Sequence, residues 1–341
     1  MRLVSGMDVL WRGAGSSQVG TDPRCAVVLD GLTGAEQRLL EALDRAPTRA
    51  DLHRYGATAG LTKSQVDHLV ELLTRAGVLT HQASEIIGHG SGRRPAGDGA
   101  TGDAQWRDRA GLAGLPAADT VRERTVVGVT GLGRTGALTA TGLAAAGVGT
   151  LLVSDPAPVL STDVLPYRAP DVGRTRESCV VDDLRAAVPA LRIGAAPGTR
   201  PDLVVVTTPR VSDPPLLRRL AQEDVAHLVV VVGELATTVG PLVVPGRGPC
   251  MRCLDVARAA AERAWPAVAT QLRVLPEPAE SYAQASWAAA TAVGAATAYL
   301  DAPGTPHALT GASLELDLDG EEIRREWAVH PECGCTAPVP G

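Results

Sequence analysis

Residues 124–155 read RTVVGVTGLGRTGALTATGLAAAGVGTLLVSD, and this run decides the fold. Val126, Val127 and Val129 are β-branched and predict a short buried strand. Gly131, Gly133 and Gly136 follow in G-x-G-x-x-G spacing, and an Ala/Leu-rich helix then runs to Gly147. A second apolar strand, Thr150 to Val153, ends on Ser154 and Asp155. Strand, glycine turn, helix, strand and terminal acid make the first βαβ unit of a doubly wound parallel sheet. Glycines are needed there because the turn is tight and a phosphate approaches backbone N–H groups at a helix N-terminus. An acid about 20 residues on meets a ribose hydroxyl in such units.

Downstream the chain keeps alternating strand and helix, as a Rossmann-type sheet requires. Residues 156–176 carry several prolines without periodicity and read as a loop. A helix is expected over Ser178–Val188, strands over Leu191–Ala195 and Leu203–Val206, and a helix over Pro214–Gln222. His227–Val232 is a fully apolar strand, as a sheet covered on both faces demands, and Val239–Val244 adds another. An Ala-rich helix follows over Tyr282–Tyr299, and Asp319-Gly320 marks the turn of a terminal hairpin.

Upstream, residues 1–82 predict a small separate unit. Asp8–Arg12, Ser17–Gly20 and Cys25–Leu29 read as three strands between Gly, Ser and Pro turns. Thr33 caps a helix with Glu36 completing a capping box, and its apolar face is Ala35, Leu39, Leu40 and Leu43. A second helix starts near Thr48, and a third follows Thr62 with Val66, Leu69, Val70 and Leu73 on one face. Three strands and three helices describe a winged helix-turn-helix, which raises DNA binding. The third helix carries Lys63, Gln65, Asp67, His68, Glu71 and Arg75, a mixed face with no basic excess, which counts against DNA. Residues 83–120, rich in Gly, Arg, Asp and Ala, read as a flexible linker to a third region, 121–341.

Composition narrows the class. At 341 residues two domains are expected, and 45% hydrophobic with 21% charged residues is ordinary for a globular protein. Phe does not occur and Lys63 is the only lysine, the mark of a GC-rich genome. A net charge of −6 argues against a general binder of nucleic acid or membrane surface. With neither a signal-peptide pattern nor a run of ~18 apolar residues, a cytoplasmic location is expected.

Four of the six cysteines form two close pairs, Cys250-Met251-Arg252-Cys253 and Cys333-Gly334-Cys335, each beside Gly and Pro. Two such pairs suit a tetrahedral, structural zinc site that ties the C-terminal hairpin to the sheet, with His330 an alternative ligand. Cys25 opens a strand, and Cys179 sits at a helix start beside Glu177 without a His or Lys neighbour that would lower a thiol pKa.

The glycine turn, Asp155, the phrase Asp171-Val172-Gly173 with Arg174 and Arg176, and the two cysteine pairs occur in an order that resembles the ThiF/MoeB/HesA class of E1-like adenylating enzymes. Such enzymes use ATP to adenylate the C-terminal glycine of a ubiquitin-like protein and are commonly homodimers. The resemblance implies an α/β, Rossmann-like E1 domain in which Gly128, Gly131, Gly133 and Gly136 surround the phosphates and Asp155 holds the ribose. Arg176 would stand where the family has a phosphate-contacting lysine, and Arg168 is the nearest substitute for its catalytic arginine.

Three departures weigh against ATP as a cofactor. Thr130 stands at the third place of the family's G-x-G-G-x-G, replacing its second glycine, and its Cβ crowds the phosphate approach. The family's Ser-Asn-Leu-Asn-Arg-Gln run is reduced to Ser161-Thr162-Asp163-Val164-Leu165. The magnesium-holding aspartate is replaced within Val206-Thr207-Thr208-Pro209, and hydroxyls are poor substitutes on hard Mg²⁺. No residue is therefore assigned a catalytic role.

The N-terminal unit, fused to such a domain, resembles the PqqD-like peptide recognition elements of ribosomal-peptide systems. In thiazole/oxazole-forming members an E1-like protein of this layout binds the precursor's leader peptide and delivers it to a YcaO enzyme. The resemblance implies strand addition of the leader at Cys25–Leu29, with Val28 on that edge and Gln65, His68 and Leu72 lining the groove. The expected function is a leader-peptide-binding adaptor without its own adenylation. The alternatives are an active adenylyltransferase and, from the glycine register alone, an NAD-linked oxidoreductase.

Overall fold

The computed structural model describes residues 2–4, 7–43, 48–80, 119–196 and 198–335, with isolated positions between 102 and 111. The chain forms two compact units, residues 1–117 and 118–341. Most of the expected linker, 83–120, lies outside the described residues, although 119 and 120 open a short helix.

In the first unit the strands are β1 (Arg2–Leu3), β2 (Val9–Gly13), β3 (Ser16–Val19) and β4 (Val27–Asp30). Helices α1 (Gly34–Glu41), α2 (Arg49–Thr58) and α3 (Lys63–Arg75) follow, then β5 (Leu79–Thr80). β2, β3 and β4 make an antiparallel meander in that order, and β1 pairs with β5. Each helix opens with a capping box: Thr33 with Glu36, Thr48 with Asp51, Thr62 with Gln65. These reciprocal bonds satisfy the first N–H groups of helices too short to persist alone. Leu39, Leu40, Leu52, Val66, Leu69 and Leu73 form the core, with Val19 reaching it from the sheet. Cys25 lies outside the strand that it was expected to open. Asp22 accepts its N–H at 3.0 Å through its carbonyl, and its carboxylate accepts that of Arg24, so a turn occupies the first residues and pairing starts at Val27.

The second unit begins with α4 (Asp119–Arg122), β6 (Val126–Thr130), α5 (Arg134–Ala145) and β7 (Thr150–Ser154). It continues through α6 (Arg176–Ala187), β8 (Arg192–Ile193), β9 (Leu203–Pro209), α7 (Pro214–Gln222), β10 (His227–Val232) and β11 (Thr237–Val243). α8 (Met251–Ala261), α9 (Trp265–Leu272), α10 (Tyr282–Asp301) and the hairpin β12 (Ala312–Leu316) and β13 (Glu322–Glu326) complete it. The eight strands lie in the order β13-β12-β11-β10-β9-β6-β7-β8. The five from β10 to β8 are parallel, and β11 to β13 extend the sheet antiparallel. The order reverses between β6 and β9, which is the switch point where doubly wound sheets place their ligands.

Val127, Val129, Leu151, Leu203, Val205 and Leu228 line one face of this sheet. Ala285, Ala288, Ala292 and Ala296 on α10 are buried, small enough to let that helix lie close against α5. Its last residue, Asp301, forms an ion pair with Arg122, which also donates to the Ala146 carbonyl at 3.1 Å. The expected strand Leu191–Ala195 is only two residues long, Arg192–Ile193, and lies at the sheet edge. Helices α8 and α9 have no counterpart in the sequence reading.

Candidate functional site

The glycine turn sits at the switch point. Gly131 has φ +75°, and a Cβ there would lie 2.1 Å from the Thr207 carbonyl oxygen, so the turn reaches β9 only as glycine. At Gly136 a Cβ would lie 1.9 Å from the Gly131 oxygen. Gly133 is the N-cap of α5 and supplies no side chain, so the first N–H groups of that helix must find acceptors elsewhere. Gly128 is inside β6 against Val204 and does not line the pocket.

The expected nucleotide-binding side chains are engaged with the protein itself. Asp155 is 7% exposed, and its Oδ2 accepts the Leu132 N–H at 2.7 Å. Its Oδ1 accepts the Ala157 N–H at 2.9 Å. Tyr167 donates to the Leu132 carbonyl at 2.5 Å, clamping the turn from its other side. Arg176, 1% exposed, donates twice to Asp163 Oδ2 at 2.9 and 2.8 Å and once to Asp155 at 3.4 Å. Its fork also holds Glu277 at 3.0 and 2.6 Å. Burial works against its charge, but Glu277 and Asp163 outweigh this and hold its pKa above the ordinary value. Arg168 does not line the pocket. It is a surface residue paired with Asp171 and Asp183.

Glu277 and Glu280, which sequence reasoning missed, enter this pocket from the segment before α10. Glu280 Oε2 accepts the Thr135 N–H at 3.0 Å, and Oε1 accepts the Thr135 hydroxyl at 2.6 Å. A carboxylate therefore sits on the N-terminus of α5, where a Rossmann unit places phosphate. Burial raises the Glu280 pKa, against the Thr135 hydrogen bonds and Arg134, which lower it. Asp155, Asp163, Glu277 and Glu280 face Arg134 and Arg176, four carboxylates against two guanidiniums. At the end of β9 the buried hydroxyls of Thr207 and Thr208 have no hydrogen-bond partner, and neither has that of Thr130. Two hydroxyls and an excess of negative charge do not fit a magnesium-bound triphosphate in this arrangement.

The four cysteines come together against the other face of the sheet, the one that carries Val204, Val206 and Val229. Cys250 is the N-cap of α8, and Cys253 lies buried in its first turn. Cys250 Sγ lies 3.5 Å from Cys333 Sγ, and Cys253 Sγ 3.4 Å from Cys335 Sγ. All four sulfurs fall within 4.8 Å of one another. A disulfide needs about 2.05 Å. A tetrahedral metal with bonds of ~2.3 Å needs sulfurs about 3.8 Å apart, so the set fits a metal and not a disulfide. His330 is not in the cluster. Burial, with the neighbouring sulfurs, pushes the Cys333 and Cys335 thiols up, Cys335 to about 11. The cluster packs on Val204, Leu217 and Val229, and beside it Arg258 lies over the rings of Trp265 and Trp327 at 5.3 and 5.6 Å.

In the first unit β4 is a sheet edge, and Val28 is 42% exposed in a row with Leu10 and Gln18. The Gln65 side-chain oxygen is spent on the Thr62 N–H and hydroxyl, both at 2.9 Å. His68 is exposed and lines a groove with Arg49, Asp67 and Glu71 that includes neither Val28, Gln65 nor Leu72. Leu72 is half-buried, off the core face of α3.

No family profile and no curated protein matches the sequence. Solved structures do. Escherichia coli MccB with MccA-N7isoAsn is 13% identical over 99% of both chains, at a TM-score of 0.63. The same enzyme with AMPCPP and MccA is 12% identical over the same coverage, at 0.64. PaaA is 16% identical over 95% of this chain and 99% of its own, at 0.65. With its large, mostly parallel sheet and this likeness, the chain has the E1-like Rossmann fold.

Proposed function

We propose that this protein is a leader-peptide-binding adaptor for modification of a ribosomally made peptide, and that its E1-like unit does not adenylate. The observation that carries the reading is the self-occupied pocket: Glu280 on the α5 N-terminus, Glu277 on Arg176, and threonines where β9 would present a magnesium ligand. Without a carboxylate at the end of β9, a metal that would stabilise the charge developing at an α-phosphate has no ligand there. MccB, of like fold, has been solved in complex with its peptide MccA, which supports a peptide as the ligand class.

In this reading residues 1–82 are a PqqD-like winged helix, 83–120 a flexible linker and 121–341 the E1-like unit. The leader adds a strand to β4 beside Val28 and lies along α3 near Gln65, His68 and Leu72. Cys250, Cys253, Cys333 and Cys335 hold a structural zinc, closed to substrate because all four positions are filled by protein. The complex is a homodimer that passes its peptide to a YcaO-type enzyme. Among the described residues no helix is long and apolar enough to cross a membrane.

Two measurements on the full chain test this. Anisotropy of a labelled leader peptide from the neighbouring precursor gene should show binding, and a random DNA duplex at low salt should not. ATP–pyrophosphate exchange should stay at background with the peptide present. Robust exchange would establish the adenylyltransferase instead.

A further inference from the structure

The segment from Arg273 to Ser281 joins α9 to α10 without regular structure. Apolar burial does not hold it in place: Val274 is 83% exposed and Leu275 47%. Its attachments are polar. Arg210 Nε donates to the Pro276 carbonyl at 3.0 Å, and Arg134 Nη1 to the Glu280 carbonyl at 2.6 Å. The two carboxylates do the rest, Glu277 on the buried Arg176 fork and Glu280 on the first turn of α5.

Those are the two strongest anion-binding features of the pocket, a desolvated guanidinium and the N-terminus of a 12-residue helix. A second observation comes from the wall of the pocket. Thr207 is 8% exposed and lines the same pocket, yet its hydroxyl has no partner, and neither has Arg134 Nε. Buried donors are rarely left unpaired. A polyanion larger than one carboxylate, reaching from the helix toward β9, would satisfy them.

We infer that the strap 273–281 is a built-in occupant of this pocket, Glu280 and Glu277 standing in for phosphate groups, and that these two carboxylates decide whether the pocket admits the polyphosphate end of a nucleotide. The inference deepens the non-adenylating half of the reading above. A tethered group competes at an effective concentration of about millimolar or more, so an ordinary weak phosphate ligand loses to it. Charge adds to the exclusion, since the strap supplies two of the four carboxylates in the lining. Without them the two guanidiniums are balanced, and the α5 N-terminus is open.

The test uses isothermal titration of the full chain with inorganic tripolyphosphate and with ATP, and with adenosine as an uncharged probe. Glu277→Ala/Glu280→Ala is expected to bind tripolyphosphate and ATP at least tenfold more tightly than the native chain, with adenosine unchanged. Glu277→Gln/Glu280→Gln keeps the side-chain shape while removing the charge, and should show the same direction if the alanine pair unfolds. Equal affinity in native and variant chains, whether both bind or neither does, overturns the inference. Leader-peptide binding is measured on the same samples. Its failure throughout would sink the adaptor reading and leave the strap result standing.

Discussion

Arg176→Ala is the sharpest test of what the pocket's charges are for. The guanidinium makes five hydrogen bonds to three carboxylates. Asp155 and Asp163 are each 7% exposed, so its removal strands two buried anions. Breaking a buried ion pair by deleting one partner costs about 3–5 kcal/mol. The Glu277 contact adds little, because its side chain is 37% exposed and solvent screens it. The expected loss is therefore about 3–5 kcal/mol, read by urea unfolding of the full chain followed by circular dichroism. Arg176→Lys separates two roles. An ammonium keeps the charge but cannot span Asp163 and Glu277 with a planar fork, so about 1–3 kcal/mol should still be lost. If Arg176 served a nucleotide, lysine at this place would leave stability nearly untouched and alter ATP affinity instead. An alanine variant within about 0.5 kcal/mol of the native chain would refute the ion-pair argument.

Cys253→Ser should abolish one zinc per chain by elemental analysis and lower the melting temperature, because binding energy at such sites is folding energy. Purified protein without stoichiometric zinc would end the metal reading. Glu280 carries a pKa raised by burial, facing Thr135, Arg134 and Asp163. Above the ordinary carboxylate value the folded chain holds that proton longer than the unfolded chain, so stability falls as pH rises through the raised pKa. Glu280→Gln should remove this slope, matching the native chain near pH 4 and gaining on it at pH 8 in paired thermal melts. Leu72→Glu should weaken leader-peptide anisotropy at least tenfold while sparing the core. Gln65→Ala is the poorer probe, since it also breaks the Thr62 capping box at a cost of about 1 kcal/mol.

What could be read from the sequence followed from local rules. The glycine turn was legible because Gly131 and Gly136 answer to contacts within one βαβ unit and its neighbouring strand. The cysteine cluster was legible because spacing and residue type nearly determine metal chemistry. Helices α8 and α9 were not, since their apolar residues are interrupted by Arg, Ala and Pro and Cys250 doubles as an N-cap. The strap was hidden for a different reason. Glu280 meets Thr135 across 145 residues, and a Pro-rich loop carries no period that would reveal its partner. The one available signal was negative: α5 has no acid in its first turn and no side chain on its N-cap, so its N–H groups needed an acceptor from outside the helix.

That deficit explains why groups of the protein itself gather at the head of α5. A glycine turn at the head of a helix creates unpaired donors whatever the pocket's use, and buried donors must be met. Here Asp155 meets the Leu132 N–H, Glu280 meets that of Thr135, and the Leu132 carbonyl takes the Tyr167 hydroxyl. Arg176 then neutralises the acids recruited for this, which draws in Asp163 and Glu277. The side chains expected to touch ATP, Asp155, Arg168 and Arg176, are each accounted for by contacts inside the chain, while the hydroxyls of Thr207 and Thr208 on β9 stay unpaired. The motif therefore reports a helix N-terminus that needs an anion. Whether that anion is a phosphate or Glu280 is set by the strap between α9 and α10, far from the motif in sequence and beside it in the fold.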